Sequence, residues 1–251
     1  MTAHYDDLKN KTFLVTGASS GIGQAIAIAL GAQGANVIIT GRNQERLDAT
    51  KQQIGKQAST HVADLTNTEA RHQLVEALPQ LDGICHAAGI IDPFPIRYLN
   101  EAVFERIFSI NVIAPILLTS SALQKKKINE GASFVFLSSV SSSKAMKGGS
   151  LYCASKSAIE AFSRNITLEH APKRIRSNCI KAGMVDTAMY QQAKEYVELG
   201  TLEEKRISYE SQYPLGIGKT EDIASLCLFL LSSSSQWITG TSITADGGFT
   251  S

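Results

Sequence analysis

Cysteine is scarce in this 251-residue chain: four residues, at 85, 153, 179 and 227, are too few and too scattered for a disulfide framework. They read as reduced thiols, each accounted for by simple burial. No two form a CxxC pair, and the five histidines at 4, 61, 72, 86 and 170 make no ligand-spaced cluster, so no metal site is expected. Charge of one sign is also lacking. The 24 Lys and Arg against 23 Asp and Glu leave +1, with no basic surplus to drive binding along a phosphate backbone, and nucleic acid is not an expected partner. Long apolar runs are missing too: residues 25–30 and 226–231 are six residues each, against the ~18 that a bilayer demands, so no membrane span is expected. The first nine residues are polar and mixed in charge, unlike the apolar stretch of a secretory signal, and a cytoplasmic setting follows as the expectation. No linker, repeat or shift of composition divides the chain, which reads as one domain.

What is present is alternation. Short β-branched or apolar runs at 12–15, 37–40, 59–62, 83–87, 133–137, 176–180 and 242–245 are separated by helical patterns near 21–33, 43–54, 67–78, 100–126, 151–170 and 220–232. This is the order of βαβ units, and it predicts an α/β fold: a doubly wound, Rossmann-type domain with a seven-stranded, mainly parallel sheet and helices on both faces. A serine cluster at 138–143, interrupted by Val140, reads as a flexible loop. Residues 184–218 lack a clear strand and look like an insertion above the sheet, within which 189–212 read as a mobile lid over the site.

Residues 16–23, Thr-Gly-Ala-Ser-Ser-Gly-Ile-Gly, lie between the first strand and the first helix. Glycines at such a turn let the backbone bend sharply and approach a pyrophosphate, which the amides and dipole of a helix N-terminus attract. The spacing is GxxxGxG, not GxGxxG, and an ordinary glycine turn would satisfy it alone. The second strand ends at Thr40-Gly41-Arg42-Asn43, where an NAD-preferring fold would carry an acid for the ribose 2′-hydroxyl. Arg42 stands there instead, and a guanidinium suits a 2′-phosphate, which points to NADP(H) over NAD(H). Tyr152 and Lys156 are four apart on a predicted helix and so share a face. An ammonium ~5 Å from a phenolate at an effective dielectric near 20 contributes roughly 3 kcal/mol, about two pKa units, and so is expected to lower the tyrosine toward working pH.

Together these residues resemble the short-chain dehydrogenase/reductases over nearly the whole chain. Residues 16–23 match the TGxxxGxG cofactor loop of that family, and Tyr152-Cys153-Ala154-Ser155-Lys156 its YxxxK element. Ser139, 13 residues before Tyr152, stands where the family carries its active-site serine, and Asn111 matches the asparagine that completes its tetrad. Asp64 and Leu65 resemble its adenine contact, and Ala245-Asp246-Gly247-Gly248 its closing strand. The resemblance implies a cofactor site formed by Gly17, Ser19, Ser20, Gly21, Ile22, Gly23, Arg42, Asp64, Leu65, Ala88, Gly89, Tyr152, Lys156, Gly183, Val185 and Thr187. Two departures stand out. His86-Ala87-Ala88-Gly89 replaces the usual Asn-Asn-Ala-Gly, and the histidine is expected to pack under the sheet in a hydrogen bond. Ala182-Gly183 replaces Pro-Gly, which is expected to loosen the loop leading to Thr187.

The implied reaction is hydride transfer between NADP(H) and a carbonyl or secondary alcohol. Tyr152 would be the general acid/base, Lys156 would lower its pKa and hold the nicotinamide ribose, Ser139 would hydrogen-bond the substrate oxygen, and Asn111 would hold a water linking Lys156 to solvent. Members of this kind resemble 3-oxoacyl-(acyl-carrier-protein) reductases, and an acyl-carrier-protein thioester joins small ketones as a candidate substrate. Lys125, Lys126, Lys127, Lys173 and Arg174 could meet an acidic carrier, although solvated helix ends explain them as well. An NAD-linked alcohol, sugar or steroid dehydrogenase is the alternative, and a nucleotide-binding protein without chemistry a further one. The resemblance also implies a homotetramer, paired through the helices near 100–126 and 151–170, with Ala158, Ile159 and Phe162 on the packing face.

Overall fold

A computed structural model describes residues 4–191 and 209–251. Seven strands, β1 (Thr12–Thr16), β2 (Asn36–Gly41), β3 (Ala58–Val62), β4 (Leu81–His86), β5 (Ile128–Ser139), β6 (Arg176–Ala182) and β7 (Ser242–Ala245), form one sheet in the order β3-β2-β1-β4-β5-β6-β7. Every pairing is parallel. The expected strands are all present, and the sheet is wholly rather than mainly parallel. The helices are α1 (Gly21–Ala32), α2 (Gln44–Ile54), α3 (Thr68–Ala77), α4 (Glu101–Phe108), α5 (Ala114–Gln124), α6 (Ser150–His170) and α7 (Thr220–Leu231).

Side chains alternate across the pleat, and the strands feed two cores. Phe13, Val15, Val135 and Leu137 pack with Ile26 and Leu30 of α1 and Cys227 and Leu230 of α7 on one face. Leu14, Phe134 and Phe136 pack with Leu74 of α3, Leu118 of α5 and Ile159 of α6 on the other. Asparagines cap three helices: Asn43, Asn67 and Asn100 accept from the amides of Arg46, Ala70 and Val103 at 2.8, 2.9 and 3.0 Å. Helix α1 differs. Its N-cap Ser20 makes no side-chain cap, so its first-turn amides keep their capacity for an anion.

The helix expected over 100–126 is interrupted. A π-turn at Ser109–Ile113 separates α4 from α5 and carries Asn111. Taken as one stretch, Glu101–Gln124 is 24 residues long and holds an 18-residue window of mean hydropathy 1.6, long and apolar enough to cross a bilayer. Scattered Ser, Thr and Asn break its apolar runs, but the Ile, Leu, Val and Ala between them keep the window mean high, so a count of unbroken runs misses it. Its Ala114, Leu118 and Ala122 are buried in the core, as in a central helix of a globular domain.

Three of the four cysteines are buried and Cys153 is half-buried. The sulfurs of Cys85 in β4 and Cys227 in α7 lie 3.4 Å apart, a contact that sequence spacing does not reveal. The lid expected at 189–212 falls largely on residues 192–208, outside the described residues. The loop leading to it is paired along its backbone: Gly183 N donates to Ala245 O at 2.9 Å, Met184 N to the Tyr213 hydroxyl at 3.1 Å, and Val185 bridges Gly218.

Candidate active site

The carboxyl ends of β1, β4 and β5 meet the start of α6 and the π-turn, the crevice where open α/β sheets hold ligands. In the first loop the chain comes very close to its neighbour. A Cβ on Gly17, whose φ is +66°, would lie 2.8 Å from Ala88 N and Cα, and one on Gly23 would lie 2.4 Å from Gly17 O. Only glycine permits this cradle, and the α1 amides open into it. Thr16 Oγ1 accepts from Ala87 N at 3.1 Å and Ala88 N at 3.2 Å, tying the loop after β4 to the end of β1. Thr187 lies across the cradle: a Cβ on Gly21 would be 3.4 Å from its methyl. The structure thus brings together Gly17, Gly21, Gly23, Ala88 and Thr187 from three separate stretches.

A second convergence surrounds Gly89, where a Cβ would lie 3.2 Å from Asn111 Oδ1 and 3.4 Å from Lys156 Nζ. Asn111 is buried, and its amide is committed. Oδ1 accepts from Ile90 N at 2.9 Å, while Nδ2 donates to Ile90 O at 2.9 Å and Ser155 Oγ at 3.1 Å. The side chain therefore clamps the loop after β4 to α6, and both of its N–H donors are used within the protein. Lys156, also buried, donates from Nζ to Leu137 O at 2.8 Å, and burial pushes its pKa down to about 8. Ser139 ends β5, and its hydroxyl hydrogen-bonds the phenol of Tyr152. Its neighbour Ser138 donates to Glu160 Oε1 at 2.6 Å, fastening β5 to α6.

The expected depression of the Tyr152 pKa is not what the structure shows. Desolvation by burial is the largest influence and raises it; the Ser139 hydrogen bond opposes, and the Cys153 thiol adds to the rise. Lys156 Nζ is 5.6 Å from the ring centroid and held by a carbonyl, so its pull does not offset burial. A phenol with a raised pKa stays protonated, the form a proton donor needs.

At the outer end of the crevice Arg42 is exposed at the end of β2. Asp64 is exposed as well, and accepts from Thr66 N at 2.9 Å and Thr66 Oγ1 at 2.7 Å. Those bonds, with the charge of Arg42, hold its carboxyl below the usual range against a small burial effect. Leu65 is buried beside it. His86 is buried and stacked on Phe136 with centroids 4.5 Å apart; its Nε2 shares a 2.9 Å hydrogen bond with Thr119 Oγ1. Burial lowers its pKa to about 3, so the ring is neutral. Sequence reasoning missed Arg71 of α3, a buried cation behind the Asp64 turn. No motif marks it, and only the fold shows where it points.

Comparison with known proteins agrees with this geometry. Residues 17–250 match the family model described as enoyl-(acyl carrier protein) reductase. The 3-oxoacyl-[acyl-carrier-protein] reductase of Rickettsia bellii is 33% identical over 244 residues, 96% of this chain and 98% of that protein. A short-chain dehydrogenase/reductase from Brucella melitensis, titled a glucose/ribitol dehydrogenase, superposes with a TM-score of 0.89 at 29% identity, covering 99% of this chain and all of the other. A blue fluorescent protein from a metagenomic library, solved in complex with NADPH, gives a TM-score of 0.85 at 28% identity over 98% of this chain and 100% of its own. With the glycine cradle, the π-turn asparagine and the Ser-Tyr-Lys cluster on one all-parallel sheet, the chain belongs to the short-chain dehydrogenase/reductase family of oxidoreductases, which act on alcohol and carbonyl groups with a nicotinamide cofactor.

Proposed function

We propose that the protein is an NADP(H)-dependent carbonyl reductase, with 3-oxoacyl thioesters as its leading substrate class. The observation that carries this reading is the convergence of Ser139, Tyr152, Lys156 and Asn111 at the end of β5, one glycine away from the cradle. The cradle fits a dinucleotide: a Cβ would fill it, and α1 leaves its first-turn amides without a side-chain cap. When bound, the nicotinamide supplies the hydride. Ser139 and Tyr152 place two hydroxyls on one substrate oxygen, and Tyr152 gives it a proton as negative charge develops there. Lys156, released from Leu137 O, would hold the ribose and support the proton transfer. Arg42 would pair with a 2′-phosphate, and Asp64 and Leu65 would meet the adenine. Thr187, Val185 and Gly183 would border the nicotinamide, and Ala88 and Gly89 would line its inner wall. We assign the reductive direction, in the cytoplasm, where the phosphorylated nicotinamide pool is kept reduced.

Assembly is part of the same reading. Of the residues expected on a packing face, Ile159 is buried and Phe162 packs edge-on to Phe136 with centroids 5.9 Å apart, so both point into the core. Outward apolar residues include Phe104 on α4, Ile113 in the π-turn, Leu117 on α5 and Leu168 on α6, and these would meet a second copy in a homotetramer. The basic cluster speaks less for a carrier protein: Lys125 pairs with Glu76, and Lys127 donates to Leu78 O at 2.6 Å. The test is NADPH oxidation with small ketones, a 3-oxoacyl thioester with and without the carrier, and an enoyl thioester. Turnover confined to the enoyl compound would overturn the carbonyl reading.

A further inference from the structure

Arg71, in the first turn of α3, is 4% exposed, yet no carboxylate lies within ion-pair distance of it among the described residues. Its guanidinium is spent on neutral acceptors. Nη1 donates to Leu65 O at 2.7 Å and Nη2 to Thr68 Oγ1 at 3.0 Å. A buried cation is costly, and where it persists its geometry specifies something. Here the two bonds fasten the start of α3 to the turn that carries Asp64 and Leu65. The turn is otherwise held at its outer edge by Thr66, across it by Asn67 N donating to Asp64 O at 3.0 Å, and at its root by Ala63 N donating to Gly41 O at 3.0 Å. Leu65 sits between these supports, and Arg71 holds its carbonyl from inside.

We propose that Arg71 is a positioning residue for the adenine end of the cofactor: by holding the Leu65 carbonyl inward, it sets the Leu65 amide and the Asp64 carboxylate at the angle from which they meet the base. This rests on the cofactor reading above. It differs from the task of Arg42, which concerns only the 2′-phosphate, because the base is common to both nicotinamide dinucleotides. Loss of Arg71 should therefore weaken NADPH and NADH alike, and should not touch a cofactor that lacks adenosine.

The experiment compares Arg71→Met, similar in length and uncharged, with Arg71→Lys and Thr68→Val. Calorimetry measures the affinity of adenosine 5′-monophosphate, and kinetics measure NADPH, NADH and reduced nicotinamide mononucleotide. Arg71→Met is expected to weaken adenosine monophosphate roughly tenfold and to raise KM for both dinucleotides by the same factor, with kcat held within about twofold. Turnover with the mononucleotide should be unchanged. Arg71→Lys should recover part of the loss, and Thr68→Val, which removes one acceptor and leaves the Asn67 cap, should show a smaller loss of the same pattern should Arg71→Met fail to fold. Unchanged adenosine monophosphate affinity would overturn the proposal, as would an equal loss with the mononucleotide. Failure of the NADP preference would leave this outcome readable, since NADH and adenosine monophosphate report on it independently.

Discussion

The two ends of the crevice are built on different principles. At the inner end, Asn111, Ser139 and Lys156 are buried and tied to main-chain groups: Asn111 to Ile90, Lys156 to Leu137. At the outer end, Arg42 and Asp64 are exposed, and the Asp64 carboxylate is held by its neighbour Thr66. The inner groups cannot change without disturbing the core, whereas an exposed residue at the end of β2 can be exchanged with little structural penalty. On the function proposed above, the chemistry would be fixed by packing and the choice of cofactor left to a replaceable surface.

The contrast predicts its own tests. Tyr152→Phe removes the proton donor and should lower kcat by roughly 10²–10⁴-fold while cofactor affinity, measured by NADPH fluorescence, stays within about twofold. Comparable turnover in the variant would take the inner end out of the chemistry. Arg42→Asp should reverse the preference between NADPH and NADH and weaken NADPH by at least tenfold, or about 1.5–3 kcal/mol, with the melting temperature unchanged. A fall in stability would show the outer end to be as embedded as the inner one. The pH profile sharpens the comparison further. Tyr152, raised above its usual value, stays protonated, so the alkaline limb of ketone reduction belongs to Lys156, whose pKa is about 8. Rising pH removes its charge, and kcat/KM should fall about tenfold per unit above that value. Lys156→Arg should shift the limb beyond it.

One further effect concerns the core alone. His86 has a folded pKa near 3, below the ordinary 6.5, so the unfolded chain takes up the proton first as acid is added. Its contribution is complete above about pH 6.5 and is lost as pH falls toward 3, at about 1.4 kcal/mol for each unit between. In urea titrations from pH 7 to 4, His86→Asn should flatten this slope, and an unaltered slope would place the acid sensitivity elsewhere.

The fold was legible because a parallel sheet buried on both faces writes itself as short apolar runs separated by amphipathic helices; the five inner strands follow that pattern, while the edge strands β3 and β7 are more polar and less buried. The residues of the candidate site that the structure brings together were legible through spacing, as with Tyr152 and Lys156, or through family likeness, as with Ser139 and Asn111. What escaped depended on tertiary neighbours. The π-turn at Ser109–Ile113 keeps the apolar pattern of a continuous helix. The rise of the Tyr152 pKa follows chiefly from burial, against a hydrogen bond from Ser139, neither visible in a YxxxK motif. Arg71 looks like any surface arginine until α3 is folded over the Asp64 turn.

The strand order carries a consequence for how the chain is made. β1 lies between β2 and β4, and its last residue, Thr16, pairs with Thr40 on one side and His86 on the other. A ribosome adding roughly 5–20 residues per second delivers the first partner within seconds, but needs several more to reach the second. Through that interval one edge of a strand made almost wholly of Phe, Leu, Val and Thr has no native neighbour. Newly made molecules are therefore most prone to wrong pairing before β4 emerges, and a pause placed there would give β1 and β2 time to settle or a chaperone time to bind.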